Sequence, residues 1–273
     1  MTRLAVSSDN HFDINKQALD AVIDAQAQFL VTQAIDVYLI VGDLFNSFAK
    51  SLAFVERLQT AVGPAMQIRF VAGNHDMGRD VSFDELESDI NDAYLHNKRL
   101  ALNDTWELIA NNGWYDYSFA QGPQAAESET FKHGMYFDRV IKQPMSDRER
   151  TELSLQQFKA HLDAATAMGK QIITAQHFAP IKDDLFYPAH DTRWQMVNGV
   201  MGSKKYGELF AQYPNLQTNF YGHVHITVPP REINGVTYLN PSVGYNRRRL
   251  QEWTADTFIA SWQNKLQIMV LTD

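Results

Sequence analysis

The decapeptide Gln67-Ile68-Arg69-Phe70-Val71-Ala72-Gly73-Asn74-His75-Asp76 sets a short apolar run directly before an amide, an imidazole and a carboxylate. The run predicts a buried strand, and the polar residues after it predict a loop at its carboxyl end, where open α/β sheets bind ligands. Asn74 carries a carbonyl oxygen for a hard cation and an N–H for a phosphate. His75 can take or give a proton near neutral pH, and Asp76 can fix which ring nitrogen holds it. Gly73 to Asp76 equally suit a polar turn, with glycine for a positive φ and Asn and Asp bonding locally. The other strand ends separate these two readings.

Residues 4–8 form a second apolar run and end in Asp9-Asn10-His11. Val37–Val41 is apolar throughout, as a strand buried on both faces requires, and ends in Gly42-Asp43. Residues 16–34 carry Leu19, Val22, Ile23 and Leu30 near helical spacing, and 51–62 read as a helix stopped by Gly63-Pro64. The order β-α-β-α-β with short loops predicts a layered α/β fold. Further along, 84–94 predict a short helix. Residues 106–110 and 114–119 predict a hairpin about Asn111-Asn112-Gly113. Residues 122–128 predict a loop, and 154–168 a helix capped by Gly169. A strand over 171–175 runs into His177, and one over 217–221 runs into Gly222-His223-Val224-His225. Between them lie a loop with a short helix over 181–203, carrying His190, Arg193, Trp194 and Asn198, and a helix over 206–212. Runs at 235–239, 257–262 and 266–271 predict antiparallel strands closing a second sheet. The aromatics from Trp114 to Phe137 read either as sheet packing or as the walls of a substrate pocket.

Composition narrows the chemistry. A chain of 273 residues can bury a sizeable core, and 45% hydrophobic with 21% charged residues is the balance of a globular enzyme. The net charge of −8 argues against a broad basic face for long duplex nucleic acid, but leaves room for a small phosphorylated substrate met by a metal. With no cysteine, thiolate sites and disulfides are excluded, so any metal is held by nitrogen and oxygen. A strand begins almost at residue 1 without a leader-like apolar segment, and no run approaches the roughly 18 apolar residues of a membrane span. A cytoplasmic protein is expected, folded as one domain over 1–273.

Five strand ends thus carry Asp9/His11, Asp43, Asn74/His75, His177 and His223/His225, the members of the first and last pairs sharing a face if the chain there is extended. One such residue is commonly a turn or a cap; five in one chain are not. His96, His133, His161 and His190 have no motif around them and read as surface or packing residues.

Asp9-Asn10-His11, Gly42-Asp43, Gly73-Asn74-His75-Asp76, His177 and Gly222-His223-Val224-His225 together resemble the pattern of the calcineurin-like metallophosphoesterases, in order and in placement. Asn46 departs from it, standing where many members carry a second acidic residue. The resemblance implies a four-layer α/β/β/α sandwich of two packed mixed sheets flanked by helices. It implies two divalent cations (Mn, Fe, Zn or Ni): Asp9, His11 and His225 on the first, Asn74, His177 and His223 on the second, Asp43 bridging. It also implies a phosphate mono- or diesterase using metal-activated hydroxide, with His75 as catalytic hydrogen-bond or proton donor and Asp76 orienting its ring. The loops around 77–154 and 181–203 would shape the pocket for a small phosphorylated or nucleotide-type substrate. Arg193 and the Arg247-Arg248-Arg249 triplet are candidates to grip a phosphate, or, for the triplet, a solvated turn. A single-strand nuclease, a hydrolase of another bond and a non-catalytic scaffold are the competing readings, the last disfavoured because every expected ligand residue is present.

Overall fold

The computed structural model describes residues 1–120, 124–185, 191–247 and 250–273, with the backbone alone at 124, 192 and 193. In chain order the elements are β1 (Thr2–Ser7), α1 (Leu19–Thr32), β2 (Val37–Val41), α2 (Phe48–Val62), β3 (Gln67–Val71), α3 (Phe83–Leu86), β4 (Lys98–Ala101) and β5 (Trp106–Ala110). There follow α4 (Gln124–Gly134), α5 (Asp147–Ala167), β6 (Gln171–Gln176), α6 (Thr192–Gly199), α7 (Lys204–Phe210), β7 (Leu216–Tyr221), β8 (Arg231–Ile233), β9 (Val236–Leu239), α8 (Phe258–Lys265) and β10 (Gln267–Leu271).

Two mixed sheets result, one ordered β10-β1-β2-β3 and the other β4-β5-β6-β7-β9-β8. Side-chain alternation sorts the layers. Val37, Leu39 and Val41 of β2 join Leu4, Val6, Leu108, Ile173 and Phe220 in an apolar layer drawn from both sheets. Tyr38 and Ile40, on the opposite face of β2, belong to the cluster that includes Val22 and Leu30 of α1 and Phe54 and Leu58 of α2. Phe158 and Leu162 of α5 belong to that cluster also, and α5 packs against β5 and β6. The expected two packed sheets flanked by helices are therefore present. Parallel β1, β2 and β3 all end on one side, as do parallel β5, β6 and β7, so both sheets deliver their carboxyl ends to a common edge.

Several boundaries differ from expectation, each for a tertiary reason. Asn111-Asn112-Gly113 does not turn a hairpin. The Asn111 N–H continues the parallel ladder to the Ala175 carbonyl at 3.0 Å, and the Asn112 side-chain oxygen accepts the Ala72 N–H at 2.9 Å, tying the sheets together. The antiparallel partner of β5 is β4, and Trp114, Tyr115 and Tyr117 are core residues. Helix α4 takes up 124–134, where a loop over 122–128 was expected; Gly122 lies outside the described residues. Helix α3 is only four residues long. Helix α5 begins earlier than expected, its start set by a capping box of Ser146 and Glu149.

The tail also departs from the sequence reading. Residues 257–262 begin a helix rather than a strand, because the Thr257 hydroxyl accepts the Ala260 N–H. Phe258, Ser261, Trp262 and Lys265 then face inward at helical spacing. β10 joins the first sheet, antiparallel to β1, while β9 joins the second, parallel to β7. Among the described residues no helix is long and apolar enough to cross a membrane.

Trp262 anchors α8 to the first sheet: it is fully buried, and its indole N–H donates to the Tyr38 hydroxyl at 2.9 Å. Trp262→Ala is expected to cost about 3–5 kcal/mol of stability, measured by urea unfolding, with the slope of the transition unchanged.

Candidate metal centre

The loops after β1, β2, β3, β6 and β7 meet at the shared edge. Their backbone is unusual: Asp9, His11, Asp43 and His223 have φ of 55°, 45°, 58° and 66°, in the left-handed region that non-glycine residues rarely adopt. Each costs on the order of 1–3 kcal/mol and persists only where neighbours over-determine it. The expected sharing of a face along extended chain is thus corrected. Both pairs lie past their strand ends, and left-handed turns aim the side chains; His223 and His225 enter different groups.

Glycine makes this closeness possible. A Cβ on Gly73 would sit 2.1 Å from Asp43 Oδ1, and one on Gly42 (φ +85°) would sit 2.5 Å from His177 Nδ1.

Asp76 holds the loops from beneath. Its carboxylate accepts the backbone N–H groups of Asp43 (2.6 Å), Leu44 (3.0 Å), Phe45 (3.1 Å) and Gly73 (2.9 Å), and the Ser51 hydroxyl (2.5 Å). Burial and the nearby Asp43 charge push its carboxyl up to about 7, against these donors. Asp76 therefore does not orient the His75 ring, contrary to the sequence expectation. Asn46 does: His75 Nδ1 lies 2.5 Å from Asn46 Oδ1, and because an amide oxygen only accepts, Nδ1 carries the hydrogen. Phe137 stacks on the ring at 4.3 Å, and His75 Nε2 faces the Tyr245 hydroxyl at 3.3 Å.

Three groups of side chains converge, each with its ligand atoms within 4.8 Å of one another: Asp9, His11 and His225; His11, Asp43 and His75; Asp43, His177 and His223. Asp43 Oδ2 lies 3.7 Å from His11 Nε2 and 3.3 Å from His177 Nε2, between the outer two groups. Asn74, whose amide points its oxygen at His177 Nε2 from 3.1 Å, completes the set. Asp138, in the turn Phe137–Val140, accepts the Asn74 amide N–H at 2.7 Å and so fixes which amide atom faces inward. All seven residues expected as metal ligands are therefore brought to one place.

The chemistry of this donor set fits divalent cations. His177 Nδ1 donates to the Val41 carbonyl at 2.9 Å, and His225 Nδ1 donates to Glu252 at 2.8 Å. Their Nε2 atoms accordingly present lone pairs in the neutral ring, yet they face Asp43 Oδ2, Asn74 Oδ1 and Asp9 Oδ1, which are acceptors as well. Acceptor facing acceptor in a buried place demands positive charge. Burial lowers both imidazoles, but the carboxylates outweigh it: Asp43 leads in raising His177 to about 9, and Asp9 leads, with Glu252, in raising His225 to about 10. His223, where burial and the His177 charge prevail, falls to about 3, and burial holds His11 well below its ordinary value. Divalent cations would supply that charge without protonating the rings.

The groups open into a cleft of about 700 Å³ walled by Tyr136, Phe137, Trp194, Met201 and Tyr245. Arg247 lies at its mouth with its guanidinium 4.8 Å from the Tyr245 ring centre. The Arg193 side chain, Arg248, Arg249 and His190 lie outside the described residues. Sequence reading missed Asp138, Ser242, Tyr245 and Glu252 as site residues, and no motif marks them. Asn46 carried a signal, its position three residues after Asp43.

The profile of the calcineurin-like phosphoesterases matches residues 2–227. No curated protein sequence matches the chain. Among solved structures, a dimetal phosphatase from Danio rerio shares the fold with a TM-score of 0.51 at 11% identity, covering 88% of this chain and 86% of that one. The sulfate thiohydrolase SoxB of Termus thermophilus aligns at 0.42 and 13% identity over 82% of this chain and 37% of its own. GAP50 of Plasmodium, described as the anchor in the inner membrane complex, aligns at 0.45 and 12% identity, with coverages of 89% and 72%.

Asp76→Ala leaves four buried N–H groups without their acceptor. At about 1–3 kcal/mol for each group left unsatisfied, partly relieved by entering water, a loss of at least about 3 kcal/mol is expected in denaturant unfolding. Ser51→Ala, which removes one donor of the five, should cost far less.

Proposed function

The chain belongs to the calcineurin-like phosphoesterase family, and from that premise we propose that it is a dinuclear metal-dependent hydrolase of phosphate esters. The observation that carries this reading is Asp43, whose Oδ2 lies 3.7 Å from His11 Nε2 on one side and 3.3 Å from His177 Nε2 on the other. Asp9, His11 and His225 would hold one cation, and Asn74, His177 and His223 the other, with Asp43 common to both. When bound, such a pair supplies Lewis acidity toward the phosphoryl oxygens and a water acidic enough to react near neutral pH.

The protein's own groups do the rest. Asn46 retains the His75 Nδ1 hydrogen, so a second proton is taken only at Nε2, which faces the cleft. Burial, the largest influence, keeps the free ring below its ordinary pKa; an entering phosphate raises it and favours the doubly protonated form. Nε2–H would then meet a phosphoryl or departing ester oxygen in the cleft. Phe137 prevents the ring from swinging away, and Tyr245 offers a phenol O–H beside it.

The cleft supports a small phosphorylated or nucleotide-type substrate. Its volume suits a small molecule, and its walls come from both segments expected to shape it: Tyr136 and Phe137 from the first, Trp194, Val197 and Met201 from the second. Flat aromatic walls suit an aryl or base-bearing ester. Single-stranded nucleic acid is the runner-up substrate, since bases stack on such rings.

With manganese present, aryl monoesters, aryl diesters, cyclic nucleotides and single-stranded DNA assayed side by side should show turnover concentrated in a small ester. Preferred cleavage of DNA would favour the nuclease reading, and no phosphoester cleavage at all would refute the proposal. His75→Asn should lower kcat by roughly 10²–10⁴-fold with metal content unchanged. Asp43→Ala should lose both cations; one ion retained at full occupancy would contradict the shared carboxylate.

A further inference from the structure

The loop carrying His223 and His225 is fastened by residues that lie after position 227, where the family match ends. Glu252 Oε2 accepts the His225 Nδ1 hydrogen at 2.8 Å and the Tyr245 backbone N–H at 2.6 Å. That carboxylate is nearly buried, its side chain 9% exposed. Gly244 passes close beneath it with φ +81°; a Cβ there would lie 2.5 Å from Glu252 Oε2. The Asn240 amide donates to the Val224 carbonyl at 2.9 Å, and buried Lys265 donates to the Ile226 carbonyl at 3.3 Å. The Ser242 hydroxyl donates to Asp9 Oδ2 at 2.7 Å, holding the carboxylate of the group that includes His225.

These contacts fall unevenly. Asp9 and His225, both of the first group, are held by direct side-chain hydrogen bonds: Asp9 accepts from the Ser242 hydroxyl, and His225 donates to Glu252. Asn74, in the other set, is held instead by Asp138, which lies within the matched span. An imidazole offers a lone pair at Nε2 only if its hydrogen stays on Nδ1, and an acceptor at Nδ1 sets that tautomer. Such partners of metal-bound histidines commonly govern metal affinity by 10–100-fold.

We propose that Glu252 is a positioning residue that tunes one cation of the pair: by holding the His225 hydrogen on Nδ1, it turns the Nε2 lone pair toward Asp9 and His11 and sets how tightly the first cation is kept. The inference rests on the dinuclear reading above. It assigns to a tail segment, invisible to the family motif, control over the relative occupancy of the two positions.

The test is a calorimetric titration of metal-free protein with manganese alone, together with metal content after dialysis and ring N–H signals of His225 in zinc-loaded protein. Wild type should take two ions. Glu252→Ala should bind one ion as tightly as wild type and the other about 10–100-fold more weakly, with the His225 Nδ1–H signal lost to exchange. Glu252→Gln keeps an acceptor while removing the charge, so its loss should be smaller; it also carries the test if the alanine variant does not fold by circular dichroism. Equal weakening of both ions, or two ions bound as tightly as in wild type with an unchanged His225 signal, would overturn the role of Glu252. Wild-type protein that takes up no divalent ion would instead overturn the dinuclear reading itself.

Discussion

The convergence of electron pairs without hydrogens to share is the constraint from which the rest of this structure follows. Nε2 of His177 and of His225 and the oxygens of Asp9, Asp43 and Asn74 face one another at separations of about 3–4 Å. No neutral hydrogen-bonding pattern satisfies that set. Either the imidazoles take up protons, as the raised values of His177 and His225 indicate for the protein alone, or cations stand among them. The burial that makes unpaired lone pairs costly also makes a charge placed among them strongly held.

Maintaining this arrangement requires a second layer of polar residues. Asp76 gathers N–H groups from two loops. Asn46 and Phe137 fix His75, Asp138 fixes Asn74, and Ser242 and Glu252 fix Asp9 and His225. Four residues of the set also hold left-handed backbone, a conformation the surrounding contacts must offset. Five loops, three of them carrying left-handed residues, are kept in place by a hydrogen-bond network that spans both sheets. Two packed sheets are suited to this because their apolar interlayer is rigid and their strand ends share an edge.

Much of this was legible in the chain. The runs before Asp9, Asp43, Asn74 and His177 are short and mostly apolar, as buried parallel strands read, whereas the run before His223 carries Gln217, Thr218 and Asn219. What failed were segments whose local pattern suits two structures. Asn111-Asn112-Gly113 has good hairpin chemistry, but the inter-sheet bond from Ala72 and the parallel ladder to β6 claim its polar groups. Residues 257–262 alternate well enough for a strand, yet only a helix buries Phe258, Ser261, Trp262 and Lys265 together. Asp76 stands beside His75 in sequence, which made it the natural partner of that ring; in space its oxygens point the other way.

The sequence by itself determined the layered α/β class, the identity of the residues meeting at the strand ends and their suitability as nitrogen and oxygen ligands. Those follow from hydrophobic periodicity and from side-chain chemistry, both local properties. Tertiary structure alone decided the partner of His75 and the tail residues that brace His225. Each of these depends on the direction in which a side chain leaves its loop, and that direction is set by contacts tens to hundreds of residues away.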